Sequence, residues 1–223
     1  MIVDLNLKDK HVIVIGGGTE GMRKVNALLG QGCRITVISN RFNKYLRDQK
    51  EAGKIETVKA ELKDASILQG YGSSPFLVLA STDDKGLNRK ICQQGREMGA
   101  FVYSVDDPPY SDFSYASVIN IEGVMQVAIS TSGKSPIMAR QVRIRAERVL
   151  RRIIKKSDAE NVKLQEFARN AARPKLKTVG QRKEFLYSLV KDGNIQNLIK
   201  EERIEDAKSA TLELLQEWVK KSK

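Results

Sequence analysis

Two hydrophobic periods alternate along the first half of the chain. Apolar runs of strand length occupy residues 11–16, 34–39, 54–60, 76–82 and 101–106. The intervening segments 20–32, 62–70 and 86–99 repeat apolar residues every three or four positions, as helices do. Short strands separated by helices of this length predict right-handed crossovers. We therefore predict an α/β domain built on a parallel sheet with helices on both faces.

The pattern changes after Asp106, where the stretch DPPYSDF interrupts it. Residues 115–133 read as two strands joined around Glu122 and Gly123, which predicts a hairpin. Ser135 and Pro136 then form an N-cap and first-turn pair that opens a long helix over residues 135–156. The remainder is helical, with breaks at Pro174 and at residues 191–194. We divide the chain into an α/β domain over 1–112, a strand-rich region with a basic helix over 113–156, and a helical region over 157–223.

Composition narrows the class of protein. The chain has 223 residues, of which 41% are hydrophobic, enough for a substantial core. Its longest apolar runs fall far short of the ~20 residues that cross a bilayer, and residues 1–10 lack the basic and apolar pattern of a secretory signal. We therefore expect a cytoplasmic protein without a membrane partner.

The metal-ligating residue types are scarce. Cys33 and Cys92 are the two cysteines and His11 is the one histidine, too few for a disulfide framework or a His/Cys metal cluster. We interpret both cysteines as small core residues and place His11 at the entrance of the first strand, with no catalytic role. The sequence predicts no resident metal site.

A glycine-rich segment follows the first strand and opens the first helix. Gly16, Gly18 and Gly21 form G-x-G-x-x-G, in which the first glycine allows a tight turn, the second lets a pyrophosphate approach and the third permits close packing. The helix N-terminus adds N–H donors and a positive dipole end. This context predicts a Rossmann dinucleotide site that also includes Thr19 and Glu20.

The acidic residue expected at the end of the second strand is missing. Ser39, Asn40 and Arg41 stand there instead. A carboxylate would bind the ribose hydroxyls of NAD, whereas a Ser followed by an Arg accommodates a 2′-phosphate, and a neutral side chain bonds the ribose less stringently. NAD and NADP therefore both stay open.

Thr82 and Asp83 follow another strand, on the carboxyl edge where ligands bind in such sheets. With Asp84 they also fit an N-cap and acidic first turn for a helix that starts near Leu87. The two interpretations are compatible, and we include Thr82 and Asp83 among the cofactor-binding residues.

Four segments occur in an order and spacing that resemble a known family: VIVIGGGTEGMRK, LASTDDKGLNRKI, YSVDDP and VAISTSGKSPIMAR. They resemble the precorrin-2 dehydrogenase and sirohydrochlorin ferrochelatase module of siroheme synthases. The resemblance implies a Rossmann domain, a strand-rich dimerisation region and a helical C-terminal part, assembled as a homodimer. It implies NAD-dependent oxidation of precorrin-2 to sirohydrochlorin and, in bifunctional members, insertion of ferrous iron as a second substrate.

The resemblance also assigns a catalytic residue. The family's catalytic aspartate lies in a V-D-x-P setting that matches Asp106, where a carboxylate serves as the base for released protons. Its neighbour Asp107 either raises the pKa of Asp106 by like-charge repulsion or is a turn residue before Pro108, and we favour the turn residue. Gly21 stands where relatives also carry alanine, an exchange that we expect to be harmless because both residues are small.

The formal charge of +12 is concentrated in one segment. Residues 134–156 carry nine basic side chains against one acid, Glu147. The substrate that the resemblance implies bears eight carboxylates, and arginine binds carboxylates in bidentate fashion. A solvated face with ion-pair partners is the preferred interpretation for residues 151–156. The predicted substrate-binding set is Thr131, Ser132, Lys134, Ser135, Arg140 and Arg143.

Two departures from the family pattern affect this set. The family often has a glycine where Ser132 stands, and Thr131 occupies a position where some members carry a phosphorylatable serine, so regulation is not carried over.

Two alternatives stay open. A Rossmann-type redox-sensing module whose basic helix binds nucleic acid would also explain the charge. Aromatic residues make up only 6% of the chain and no nucleic-acid motif is present, so we expect no nucleic-acid partner. A dehydrogenase that leaves iron insertion to a separate chelatase is not distinguished from the bifunctional enzyme, since one aspartate can serve both reactions.

Overall fold

A computed structural model describes residues 2–70 and 75–221. The chain divides into two compact units, one formed by Met1–Tyr115 with Ser132–Lys134 and one formed by Ala116–Thr131 with Ser135–Lys223. The predicted boundaries after residues 112 and 156 stay a prediction.

The first unit is an α/β domain with five parallel strands in the order β3-β2-β1-β4-β5. Its elements are β1 (His11–Ile15), α1 (Thr19–Leu28), β2 (Arg34–Ser39), α2 (Lys44–Glu51), β3 (Glu56–Lys59), β4 (Leu77–Ala80), α3 (Lys85–Glu97) and β5 (Phe101–Ser104). Short 3₁₀ turns cover Ala65–Leu68 and Pro108–Tyr110. The predicted parallel sheet is confirmed.

Strand β1 is buried on both faces of the sheet. Val12 and Val14 point into one buried cluster with α1 and α2 residues, while Ile13 and Ile15 point into a second cluster with α3 residues. Because side chains alternate between the faces of a strand, a strand buried on both sides is apolar throughout. That run of apolar residues is what identified β1 in the sequence.

One helix of this unit was missed and one predicted helix is wrong. Helix α2 was not predicted, because it is largely polar and buries a single residue, Leu46. The helix expected over 62–70 is only a 3₁₀ turn capped by Asp64. His11 opens β1 as expected and is hydrogen-bonded to Thr36 Oγ1. Cys92 is fully buried as expected, whereas Cys33 is only partly buried against the core.

The second unit begins with a hairpin of β6 (Ser117–Ile121) and β7 (Met125–Ile129). Val124 N–H donates to Ile121 O at 3.2 Å, and Glu122 and Gly123 both have positive φ, 52° and 71°. Two central residues with positive φ are what a type I′ turn requires. The predicted hairpin is confirmed.

Five helices follow in the described part of this unit: α4 (Pro136–Ile153), α5 (Lys156–Ala172), α6 (Val179–Lys191), α7 (Gly193–Lys200) and α8 (Ile204–Lys221). Ser135 caps α4 by accepting from Met138 N–H at 3.2 Å, as predicted, but the helix ends before 156. Helices α5 to α8 enclose a core whose largest fully buried side chain is Phe185. The predicted breaks at Pro174 and 191–194 separate α5, α6 and α7.

Candidate functional site

The glycine-rich turn between β1 and α1 is a close backbone crossing. Gly16 has φ +116°, and a Cβ there would lie 2.4 Å from the carbonyl oxygen of Ser81 at the end of β4. A Cβ on Gly17 would lie 1.9 Å from the carbonyl oxygen of Arg41. Side chains are therefore excluded from this turn by backbone rather than by mobile groups.

Gly18 differs from its neighbours. It is the exposed N-cap residue of α1. A Cβ added there would meet nothing within 4 Å beyond its chain neighbours. The first N–H groups of a helix attract anions through unpaired donors and the helix dipole. The turn thus offers open space and donors for a pyrophosphate, which fits the dinucleotide site that the sequence predicts.

The structure corrects the expectation that alanine at position 21 is harmless. A Cβ on Gly21 would lie 1.9 Å from the carbonyl oxygen of Gly16 and 2.9 Å from its carbon. Both contacts are to backbone. In this chain the third glycine is therefore required by the path of the turn itself.

Ser39, at the end of β2, is hydrogen-bonded to the glycine-rich turn. Its side chain is buried, and its hydroxyl oxygen accepts from the N–H of Gly17 at 3.0 Å and of Arg41 at 3.4 Å. Asn40 and Arg41 are exposed. The side chains of Asn40 and Arg41, rather than that of Ser39, are the ones presented to solvent at this strand end.

Asn43 is a second support, which the sequence analysis missed. Its N–H donates to Gly17 O and its Nδ2 to Gly18 O, each at 3.2 Å, while its Oδ1 caps α2 by accepting from Leu46 N–H. The N-cap signal at Asn43 was readable in the sequence. Its contact with the glycine-rich turn depends on the sheet that brings α2 beside α1.

The remaining predicted cofactor residues lie near the turn or at the end of β4. Thr19 and Asp83 are exposed, and Glu20 is half-buried and paired with Arg23. Asp84 caps α3 by accepting from Leu87 N–H at 3.0 Å, as predicted. Ser81, which was not predicted, has a buried hydroxyl with no hydrogen-bond partner in the described part of the chain.

Asp106 lies just beyond β5, on the same carboxyl edge of the sheet. Its residue is exposed, but its Oδ1 accepts from Ser104 Oγ at 2.8 Å and from Asn88 Nδ2 at 3.2 Å. Asn88 is fully buried and also bonds the backbone and hydroxyl of Thr82. Thr82 and Asp106, predicted from separate segments, are thus joined through one buried amide that the sequence analysis did not single out.

Asp107 has a structural role of its own. It is 4% exposed, and its Oδ2 accepts from Arg89 Nε at 2.6 Å, with Lys85 Nζ at 3.7 Å. This bond raises the pKa of Arg89. Asp107 precedes the Pro108–Tyr110 turn, as the preferred interpretation has it, and is in addition a buried ion-pair partner.

An enclosed lysine stands on α1. Lys24 Nζ lies 4.2 Å from the ring centroid of Tyr103 and 4.0 Å from that of Tyr115. Burial lowers the pKa of Lys24 to about 8, and burial also raises the pKa of both tyrosines.

In the turn between β7 and α4, the hydroxyl of Thr131 is hydrogen-bonded to the backbone of Ser135. Thr131 Oγ1 accepts from Ser135 N–H at 3.0 Å and donates to Ser135 O at 3.1 Å. Ser132 adopts φ 52°, in the left-handed region where glycine is favoured, which accounts physically for the glycine of the family pattern. Lys134 is exposed. The substrate-binding roles of these four residues stay predictions.

The basic residues of α4 and of the start of α5 include both ion-paired and exposed side chains. Glu147 accepts from Arg143 at 2.5 Å and from Arg151 at 2.8 Å, and these bonds lower the pKa of Glu147. Arg140 is exposed near the start of the helix. The ion pair of Arg151, and that of Lys156 with Glu202 at 2.8 Å, agree with the interpretation of residues 151–156 as a solvated face.

The described residues contain neither a membrane-spanning helix nor a cluster of metal-ligating side chains. Among residues 2–70 and 75–221, no helix combines the length and apolar character needed to span a bilayer. The same ranges contain no group of three or more His, Cys, Asp or Glu side chains placed to hold a metal ion.

The protein families that this chain matches agree with the glycine-rich turn and the parallel sheet described above. Residues 3–117 match a family described as putative NAD(P)-binding, and residues 122–145 match a family described as sirohaem biosynthesis protein, central. The class of protein is thus an NAD(P)-binding Rossmann protein.

Two of the curated relatives are siroheme synthases. The siroheme synthase of Nitrosococcus oceani is 32% identical over 94% of this chain and 43% of its own length. That of Neisseria meningitidis serogroup C is 31% identical over 81% of this chain and 35% of its own length. The chain belongs to the NAD(P)-binding family that residues 3–117 match, and it is similar to siroheme synthases over most of its own length. It spans about two fifths of the length of these relatives.

One solved structure shares the whole fold. SirC, a precorrin-2 dehydrogenase, superposes with a TM-score of 0.66 over 99% of each chain, at 19% identity. At this identity the likeness concerns the fold, and it extends through both units.

Proposed function

We propose that this protein oxidises precorrin-2 to sirohydrochlorin with a nicotinamide dinucleotide. The observation that carries the proposal is the placement of the Asp106 carboxylate, held by two donors, on the sheet edge where the glycine-rich turn opens. The relatives named siroheme synthase and the fold shared with a precorrin-2 dehydrogenase support the substrate.

Each part of the site has a task in this reaction. The N–H groups at the start of α1 bind the pyrophosphate, for which the open space at Gly18 leaves room. The nicotinamide, when bound, supplies the hydride acceptor. Loss of hydride from the macrocycle must be accompanied by loss of a proton. The exposed carboxylate of Asp106 accepts that proton as a general base.

The central test measures the anaerobic turnover of precorrin-2 from its change in absorbance. Asp106→Asn keeps the size and turn preference of the side chain but removes the base, so NAD(P) binding persists while dehydrogenation falls by roughly 10²–10⁴-fold. Asp48→Asn, on the exposed face of α2, is the matched control. Wild-type turnover in a folded Asp106→Asn variant would refute the catalytic assignment.

The cofactor site has its own test. Gly18→Asp places a carboxylate where the pyrophosphate binds. The fold is kept because no residue other than the chain neighbours comes within 4 Å of that Cβ. Calorimetric titration with NAD and NADP then shows no binding. Unchanged affinity would remove the assignment of the turn.

We propose weak discrimination between NAD and NADP. The strand end offers the exposed Asn40 and Arg41 and no carboxylate to repel a 2′-phosphate. NADP then binds within about tenfold of NAD, a gap of ~1.4 kcal/mol, and Arg41→Ala weakens NADP more than NAD. A thousandfold preference for NAD would contradict this.

Ferrous iron insertion into sirohydrochlorin is proposed as a second reaction, with iron as a substrate. The pyrrole nitrogens must lose protons on chelation, and the same Asp106 carboxylate is available to accept them. Adding ferrous or cobaltous ion to supplied sirohydrochlorin measures it. Chelation that survives Asp106→Asn at full rate would argue against a shared base.

We propose that the protein is a homodimer. Apolar side chains are exposed on one strand and along α4: Val118, Ile137, Met138, Val149 and Ile153. Exposed apolar patches of this kind mark association surfaces. Light scattering after size exclusion reports the mass, and a monomer at micromolar concentration would refute it.

The cytoplasmic location and the absence of a nucleic-acid partner stay predictions. Retention of duplex DNA at physiological salt, lost when Arg140, Arg145 and Arg148 are neutralised together, would favour the binding-module alternative.

A further inference from the structure

We propose that Ser104 and Asn88 are positioning residues that hold the Asp106 carboxylate by one oxygen, Oδ1, and so assign the proton-accepting role to Oδ2. The proposal rests on the function proposed above. Both donors, Ser104 Oγ at 2.8 Å and Asn88 Nδ2 at 3.2 Å, donate their hydrogen bonds to Oδ1 rather than to Oδ2.

The donors are shielded while the carboxylate is not. Ser104 is 2% exposed and Asn88 is fully buried, whereas Asp106 is exposed. Water therefore competes poorly for the two donors, and a hydrogen bond from a buried donor to a charged acceptor is among the stronger ones in proteins. The carboxylate is anchored on its protein side and open on its solvent side.

Chemistry fixes the orientation of the Asn88 amide. Its oxygen accepts from Thr82 N–H at 3.1 Å and from Thr82 Oγ1 at 2.7 Å, and its nitrogen donates to Thr82 O at 2.9 Å. A flipped amide would set its oxygen against both the Thr82 carbonyl and the Asp106 carboxylate. The NH₂ group must therefore face Asp106.

Ser104 is held just as firmly, through its backbone. Its N–H donates to Ser111 Oγ at 2.9 Å, and that hydroxyl donates onward to Ser104 O at 3.3 Å. Ser104 is also the last residue of β5, paired with Ala80 of β4. The hydroxyl that meets Asp106 is thus carried by the sheet and not by a mobile loop.

This arrangement divides the two carboxylate oxygens by role. Oδ1 is occupied by donors, so Oδ2 forms the new O–H bond when a substrate bond to hydrogen breaks, and the electron pair of that bond stays with the macrocycle. A base held in the orientation of proton transfer loses less freedom in the transition state than a freely rotating one. Removing one anchor should then slow chemistry without weakening binding.

The experiment compares Ser104→Ala with Ser104→Thr, the latter keeping the hydroxyl. We expect Ser104→Ala to lower kcat about tenfold while KM for precorrin-2, the affinity for NAD(P) and the binding of sirohydrochlorin measured by absorbance titration stay within about twofold. Ser104→Thr restores kcat to within about threefold. Thr36→Val, which deletes a buried hydroxyl elsewhere in the same sheet, is the control and leaves kcat unchanged.

The decisive measurement is made in the Asp106→Asn background. If Ser104 acts through Asp106, Ser104→Ala lowers turnover there by less than about twofold, because the base is already absent. Asn88→Ser behaves in the same way, and Ser104→Ala keeps the test valid should Asn88→Ser fail to fold.

Three results overturn the inference. Full kcat in Ser104→Ala, or an equal loss with and without Asp106, means that Ser104 does not position the base even though Asp106 acts as one. Wild-type turnover in Asp106→Asn overturns the proposed function and this inference together.

Discussion

Replacing Gly21 by alanine tests the geometry of the glycine-rich turn. The added Cβ would lie 1.9 Å from the carbonyl oxygen of Gly16, whereas a carbon and a carbonyl oxygen in contact stand about 3.3 Å apart. The turn or the helix must therefore move by roughly 1.4 Å. No flexible side chain can yield instead, because both parts of the contact are backbone.

The magnitude follows from two opposing effects. Forcing a methyl group into a packed site typically costs ~1–3 kcal/mol, and backbone contact favours the upper part of that range. Alanine in a helix interior is more favourable than glycine by about 1 kcal/mol, which offsets part of the cost at this third residue of α1. We expect a net loss of ~1–2 kcal/mol, or a melting temperature lower by roughly 2–8 °C.

The movement also reaches the proposed cofactor site. Gly16, Gly17 and Gly18 are consecutive, so displacing the Gly16 carbonyl tilts the N–H groups that face the pyrophosphate. We expect NAD(P) affinity to fall at least tenfold, about 1.4 kcal/mol. Thermal unfolding gives the stability change and isothermal calorimetry gives the affinity.

Two further variants isolate the cause. Gly18→Ala has no protein neighbour within 4 Å of its Cβ, so it should melt like the wild type but bind NAD(P) weakly. Gly180→Ala, in the first turn of α6 with 3.9 Å to its nearest neighbour, should be neutral or slightly stabilising. A Gly21→Ala protein that melts at the wild-type temperature and binds NAD(P) normally would refute the reasoning.

Variants at three other positions probe separate parts of the fold. Burial lowers the pKa of Lys24 from 10.5 to about 8, so the folded protein loses this proton at a lower pH than the unfolded chain does. The stability of the wild type relative to Lys24→Met should therefore rise between pH 8 and 10.5. Urea midpoints of the two proteins that differ equally at pH 7 and pH 10 would contradict this. Arg89→Ala leaves the buried Asp107 carboxylate with Lys85 alone and should lower the urea midpoint, an effect that Arg89→Lys should partly reverse. An unchanged midpoint would show that the pair is not stabilising. Glu122→Asn should raise stability by ~0.5 kcal/mol because asparagine tolerates positive φ, and a lowered melting temperature would argue against the type I′ turn.

The sequence predicted those elements whose burial is visible as a pattern. Strands β1, β2 and β4 are buried on both faces, so their apolar runs stand out. The G-x-G-x-x-G motif places the turn because side chains are excluded there. Helix α2 was missed since it buries only Leu46 and its polar surface carries no period. The identity of Asp106 came from family resemblance, not from periodicity.

Contacts between distant segments could not be predicted in the same way. Asn88 reads as one more polar residue of α3, and only the sheet order brings it between Thr82 and Asp106. Ser39 was expected to face the ribose, yet its hydroxyl lies under the turn and bonds Gly17. Each of these roles depends on which way a strand end turns its side chain, which one sequence does not specify.

The distribution of buried polar groups is an independent argument for the site. Burying a polar side chain costs free energy unless it is fully hydrogen-bonded, so such residues are sparse where only packing matters. Seven polar or charged residues are buried in the described ranges, and five of them lie at the carboxyl ends of β2, β4 and β5 or against those ends: Ser39, Ser81, Asn88, Ser104 and Asp107. The other two, Thr36 and Thr211, lie inside a strand and inside a helix. Packing alone gives no reason for this concentration at one edge, whereas a site that must fix a turn, a carboxylate and an ion pair does.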